Sequence, residues 1–326
     1  MNGEAVDKNA RIFVAGHRGL VGSAIVRALK SGGYTNLILR ARAELDLLDL
    51  AAVRRLFASA KPEYVFVAAA RVGGIVANST FPAEFIYENT LIAAHLIDQA
   101  SRNKVRRLLY LGSSCIYPRD CPQPIRESYM LTGPLEETNR AYAVAKLAGV
   151  EMCWSYNREH GTKFLAAMPT NLYGPGDRYD LQGSHVIPAL IQKCHQAKVT
   201  GASEVVIWGT GAPLREFLYS EDAAEGLTHL MCLPDAAFAR ACGDAHLPPL
   251  VNVGSGIELT IRELAGKVRD AVGYEGPLVF DAAKPDGTPR KLLEVSRMAS
   301  LGWRAKTPLE AGLRLAYADF LARYPG

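Results

Sequence analysis

Short apolar runs recur along the first half of the chain, at residues 11–15, 36–39, 64–70, 107–111 and 163–168. Between several of them lie stretches in which apolar residues return every three or four positions, over 23–31 and 82–103, and a cluster of helix formers surrounds Ala141 to Ala148. Continuous apolar runs alternating with helical periodicity predict βαβ units and a buried parallel sheet. In the stretch 82–103, Phe85, Ile86, Leu91, Ile92, Leu96 and Ile97 cover more than one helix face, which predicts burial against both the sheet and a partner subunit.

The pattern changes after Gly176. Residues 177–184 read as loop, 186–197 as a helix preceded by His185, and 205–208 as a strand. Residues 209–213 turn into 214–217, Ser220 reads as the cap of a helix, and 250–253 as a further strand of the large sheet. Thr260-Ile-Arg-Glu263 has the form of a capping box opening a helix to about Val272. A Pro/Gly-rich charged loop over 281–290 and helices near 296–301 and 309–324 close the chain. The expectation is an α/β protein, a Rossmann-type doubly wound parallel sheet with a smaller C-terminal α/β lobe. The large domain would span 1–175 with further elements from about 218–260, and the substrate lobe 176–217 and 261–326.

Composition narrows the class. With 326 residues, 49% hydrophobic and 21% charged, the chain has the make-up of a globular protein with a sizeable core. A formal charge of +4 without any block of like charge suits an anionic small molecule and argues against nucleic acid. Residues 1–10 are polar and no apolar run is long enough to cross a bilayer, so no signal peptide or membrane segment is expected. The six cysteines, at 115, 121, 153, 194, 232 and 242, contain no C-x-x-C pair. Reduced thiols in a cytoplasmic enzyme follow, rather than disulfides or a zinc site.

The first strand feeds Gly16-His17-Arg18-Gly19-Leu20-Val21-Gly22, and a helix follows. Strand, glycine turn and helix form the setting in which a dinucleotide pyrophosphate meets a helix N-terminus. Where an NAD site would place an acidic residue after the second strand, this chain has Arg40 and Arg42, with Arg18 in the turn. Guanidinium groups suit the 2′-phosphate of NADP(H); Glu44 offers a competing acceptor for a 2′-hydroxyl. Farther on, Tyr142 and Lys146 stand at i and i+4 on one helix face. A cation beside a phenol favours the phenolate, which makes Tyr142 a candidate proton donor to an alkoxide. Gly112-Ser-Ser-Cys-Ile-Tyr-Pro118 and Pro169-Thr-Asn-Leu-Tyr-Gly-Pro175 fall after strands, where ligands of open α/β sheets bind.

These motifs resemble the extended short-chain dehydrogenase/reductase superfamily. The glycine turn, the 112–118 and 168–175 stretches, Ser184-His-Val-Ile-Pro188 and Lys284-Pro-Asp-Gly-Thr-Pro-Arg-Lys291 more narrowly resemble the GDP-L-fucose synthase family. Its members are NADPH-dependent 3,5-epimerases and 4-reductases of GDP-4-keto-6-deoxy-D-mannose. The resemblance implies a Ser113/Tyr142/Lys146 triad for reduction, with Cys115 as base and His185 as acid for epimerisation. It implies cofactor contacts from Gly16 to Gly22, Arg42, and Leu111, Gly112, Ser113 and Ser114. Further cofactor contacts would come from Tyr142, Lys146, Pro169, Thr170, Asn171, Leu172 and His185. Substrate contacts would come from Ser113, Ser114, Cys115, Asn171, Lys193, Trp208, Arg215 and Asp286, although Trp208 is equally compatible with a core position. Two other readings share the fold: a UDP-hexose 4-epimerase with tightly held NAD, and a non-catalytic NADP sensor. The first needs neither Cys115 nor the arginines, and the second does not need a proton donor.

Overall fold

The computed structural model describes residues 6–179, 185–244, 246–284 and 286–324. The remainder of the expected 177–184 loop, Ser184 and Pro285 lie outside the described residues. In chain order the elements are β1 (Ile12–Ala15), α1 (Leu20–Ser31), β2 (Leu37–Ile38), α2 (Leu50–Ala60), β3 (Tyr64–Val67), α3 (Ile75–Thr80), α4 (Pro82–Arg102) and β4 (Arg107–Leu111). Next come α5 (Arg140–His160), β5 (Phe164–Pro169), β6 (Asn171–Tyr173), α6 (Val186–Thr200), β7 (Val205–Trp208), β8 (Leu214–Tyr219), α7 (Ser220–Met231) and α8 (Asp235–Ala241). The chain closes with β9 (Leu250–Val253), β10 (Glu258–Thr260), α9 (Ile261–Val272), β11 (Leu278–Asp281), β12 (Arg290–Lys291), α10 (Ser296–Ser300) and α11 (Leu309–Arg323).

Six strands form one sheet in the order β2-β1-β3-β4-β5-β9, every pair parallel. β1 shows why both faces are covered. Its side chains alternate, Ile12 and Val14 joining a core with Ala24, Ile25 and Leu29 of α1 and Leu227 and Leu230 of α7. Phe13 and Ala15 join the opposite core, with Val53 and Phe57 of α2 and Leu96 and Ile97 of α4. Each large apolar side chain taken fully from water contributes about 1.5–3 kcal/mol, so helices on both faces are what this sequence stabilises. Because the chain passes from β1 to β2 on one side and to β3 on the other, a crevice opens at the carboxyl ends of β1 and β3. A third core gathers Ile187, Ile191 and Cys194 of α6, Ile207 of β7, Leu264 and Val268 of α9, and Leu313 and Phe320 of α11.

Several elements depart from the pattern reading. Residues after Val67 leave the sheet, and α3 occupies part of the expected 72–76 loop. β6 forms within the expected 169–175 loop because it pairs with β8, Asn171 opposite Phe217. β12 forms where the Pro/Gly-rich 281–290 stretch ends by the same means, Lys291 opposite Arg215. Ser220 is not the cap: Tyr219 takes that place and Ser220 is the first helical residue, buried, its hydroxyl unpaired among the described residues. The capping box at Thr260 is present in full. No described helix is long and apolar enough to cross a membrane.

Candidate active site

The glycine turn is shaped by close backbone contact. Gly16 adopts φ +80°, and a Cβ there would meet Ala68 O at 2.6 Å; a Cβ on Gly22 would fall 2.1 Å from Gly16 O. Only hydrogen fits at either place, and the turn delivers the start of α1 to the crevice with no side chain capping it. Free first-turn N–H groups favour an anion there. Arg18, Arg40 and Arg42 are all exposed, and Arg40 donates to Leu39 O at 2.8 Å. Glu44 is turned onto its own backbone, accepting Ala41 N–H at 2.7 Å. The residues present therefore fit a 2′-phosphate better than a 2′-hydroxyl. Burial, followed by Arg18, lowers the pKa of His17.

The end of β4 carries the next group. Ser113 caps a turn of 3₁₀ helix, Ser114–Ile116, accepting Cys115 N–H at 3.5 Å. Tyr142 and Lys146 approach from α5, as their spacing predicts. Lys146 behaves differently from the simple expectation. Its ammonium donates to Leu111 O at 2.8 Å and stands 5.7 Å from the centre of the Tyr142 ring; burial lowers its pKa to about 8. Tyr142 is pushed up, first by desolvation and then by Cys115, with Ser113 pulling the other way. Its phenol consequently holds its proton throughout the neutral range, the form a proton donor needs. Cys115 is 5% exposed. Burial raises its thiol; Lys291 leads the opposing influences, ahead of Ser113 and Lys146.

A small cleft of about 60 Å³ is lined by Asn171, Leu172, His185, Val186, Ile187, Arg215 and Phe217. His185 precedes α6 in extended conformation and makes no side-chain cap bond to it among the described residues. The ring is solvent-accessible at the cleft wall, while the surrounding protein lowers its pKa by desolvation. Asn171 Nδ2 and Thr170 Oγ1 both donate to Glu216 O, at 2.9 and 3.2 Å. Arg215 donates to Leu214 O at 2.8 Å and is drawn electrostatically by Asp286.

At the end of β7, Trp208 is 65% exposed, which removes the core reading. Lys193 and Lys284 stand 5.7 and 5.5 Å from its ring centre, and Lys193 also donates to Val206 O at 3.1 Å. Asp286 accepts from Thr210 N at 3.0 Å and Thr210 Oγ1 at 2.6 Å, so it braces the turn that follows the tryptophan. Sequence reasoning assigned no role to Glu216 or Lys291. Glu216 is fully buried and accepts Gly256 N–H at 2.7 Å and Leu293 N–H at 3.0 Å. A lone glutamate inside Leu214-Arg-Glu-Phe217 carries no local signature; only the fold shows what it holds.

Comparison with known proteins agrees with this geometry. Residues 12–241 match the NAD dependent epimerase/dehydratase family. The chain is 53% identical over 315 residues to GDP-L-fucose synthase 1 of Arabidopsis thaliana, covering 97% of this chain and 94% of that one. It is 51% identical over 314 residues to GDP-L-fucose synthase of Escherichia coli strain K12, covering 95% and 96%. Among solved structures, a GDP-mannoheptose C4 reductase from Campylobacter jejuni with NADP bound superposes with a TM-score of 0.87 at 34% identity, covering 97% and 99%. The chain therefore belongs to the NAD dependent epimerase/dehydratase family, and within it to the GDP-L-fucose synthases.

Proposed function

We propose that this chain converts GDP-4-keto-6-deoxy-D-mannose to GDP-L-fucose, inverting C3 and C5 and then reducing C4 at the expense of NADPH. The observation that carries the reading is a thiol, Cys115, seated beside Ser113 and Tyr142, since reduction alone has no use for it. Protons on C3 and C5 both lie α to the C4 carbonyl, so removing either places charge on O4. Donors aimed at that oxygen stabilise both the enolate and the later alkoxide. Ser113 and Tyr142 fill that role, Cys115 takes the α protons as thiolate, and His185 returns protons. When bound, NADPH supplies the hydride to C4, and Tyr142 delivers its proton to O4. Arg18 and Arg42 hold the 2′-phosphate; Lys193, Trp208 and Arg215 hold the nucleotide diphosphate, with Asp286 bracing the turn beside them.

The substrate lobe is assigned to 176–217 and 261–326. α4 leaves Ile86 and Tyr87 exposed and α5 leaves Val144 exposed, which supports pairing with a second copy through a helix bundle. All six cysteines are free, in keeping with a reducing, cytoplasmic setting. The test is direct: the purified chain is mixed with NADPH and GDP-4-keto-6-deoxy-D-mannose, and the product is identified by NMR. NADPH oxidation with formation of GDP-L-fucose supports the reading; a product inverted at neither C3 nor C5 refutes it.

A further inference from the structure

Glu216 stands in the middle of β8, between two residues that line the cleft. Successive strand residues point to opposite faces, and Arg215 and Phe217 both face the cleft, so the Glu216 side chain turns away from it. That side chain is wholly removed from water. Oε1 accepts Gly256 N–H at 2.7 Å, in the turn that follows β9. Oε2 accepts Leu293 N–H at 3.0 Å, just beyond β12. β9 is the edge strand of the large sheet, whereas β12 pairs with β8 itself. One carboxylate thus fastens the edge of the large sheet to the strand that carries Arg215.

The main chain of the same residue holds a third segment. Glu216 O accepts Asn171 Nδ2 at 2.9 Å and Thr170 Oγ1 at 3.2 Å, and Phe217 lies opposite Asn171 where β6 pairs with β8. Asn171, Arg215 and Phe217 are walls of one cleft, so their spacing is set through Glu216. The fit around the carboxylate is tight: a Cβ on Gly254 would collide with Oε1, and glycine there leaves it room. Burying a carboxylate is costly, and well-packed apolar side chains of similar volume often serve stability as well. An apolar side chain cannot, however, accept from two N–H groups on different segments and so fix where those segments stand.

We propose that Glu216 is a positioning residue for the C4 reduction, fixing the spacing between Arg215, which holds the diphosphate, and Asn171 at the nicotinamide end. The proposal rests on the reading of this cleft as the seat of the nucleotide sugar. With the diphosphate anchored at Arg215, the sugar extends from it toward the hydride donor. A shift of β8 against the junction of β5 and β6 therefore moves C4 off the line of transfer, while the nucleotide keeps its own contacts. Misplacement by about 1 Å can cost about a hundredfold in rate. A loss confined to that arrangement lowers kcat and leaves KM nearly unchanged.

The test separates positioning from stability. Steady-state reduction of the keto sugar by NADPH is measured in wild type, Glu216→Gln and Gly254→Ala, at a temperature where circular dichroism shows each of them folded. Asp49→Ala is the comparison for lost stability alone: it removes the side chain that caps α2 by accepting Ala51 and Ala52 N–H, outside the cleft. Glu216→Gln should lower kcat about tenfold or more while KM for the keto sugar changes less than about threefold. Gly254→Ala displaces the carboxylate without altering it and should show the same split, whereas Asp49→Ala should keep kcat within about twofold of wild type. If Glu216→Gln does not fold, Glu216→Asp, which keeps the charge but withdraws it by one methylene, replaces it with the same split expected. A wild-type kcat in the folded Glu216 variant, a loss carried by KM alone, or an equal loss of kcat in Asp49→Ala overturns the proposal. Failure of the functional reading has a separate mark: wild type itself would then form no GDP-L-fucose, and the proposal would fall with it.

Discussion

Replacing both Arg18 and Arg42 with alanine should strip the preference for NADPH while leaving use of NADH nearly unchanged. Both side chains are exposed, so water weakens their bonds to a phosphate relative to buried pairs. Hydrogen bonds to charged groups contribute about 1.5–3 kcal/mol, and the lower end applies here. Two such contacts give about 3 kcal/mol, and about 1.4 kcal/mol per tenfold makes this about a hundredfold loss in kcat/KM for NADPH. NADH lacks the phosphate and should lose less than about threefold by the same reasoning. Glu44 does not take over, because its carboxylate is engaged by Ala41 N–H at 2.7 Å. Initial rates measured against each cofactor, at low and high salt, provide the assay. The gap between the cofactors should narrow with salt in wild type, as exposed charges are screened, and be small at any salt in the variant. Equal losses for NADPH and NADH would refute the assignment.

Tyr142→Phe removes only the acidic proton and should abolish reduction while NADPH affinity, read by fluorescence titration, stays close to wild type; a variant keeping most of its turnover would show that another group is the acid. Glu216→Gln turns an amide N–H₂ toward either Gly256 N–H or Leu293 N–H, both of which need an acceptor. The cost should be about 2–3 kcal/mol, seen as a fall of about 3–4 °C in Tm; an unchanged melting curve would mean the carboxylate is not a clamp.

The legible parts of the sequence were those whose environment is local or uniform. β3 (Tyr64–Val67) and β5 (Phe164–Pro169) stood out because a central parallel strand is buried on both faces and reads as an unbroken apolar run. Thr260 and Glu263 announced their helix because a capping box lies within four consecutive residues. Tyr142 and Lys146 were placed on one helix by their helix-forming neighbours and their spacing. Their electrostatics were not, since Lys146 donates to Leu111 O and burial raises the phenol. β6 and β12 escaped because a strand of two or three residues has no period of its own; partnership with β8 creates both. The same distant pairing hid Glu216 inside a strand whose partners lie far along the chain.

We propose that one oxyanion site serves both epimerisation and reduction, with Cys115 as the added base. Cys115→Ser tests it most directly. The variant is incubated with the keto sugar in D₂O without NADPH, and deuterium at C3 and C5 is followed by NMR. A hydroxyl is a far weaker base than a thiolate at neutral pH, so exchange at both carbons should fall by orders of magnitude while NADPH binding persists. Deuterium uptake at the wild-type rate would contradict the account and return Cys115 to a packing role.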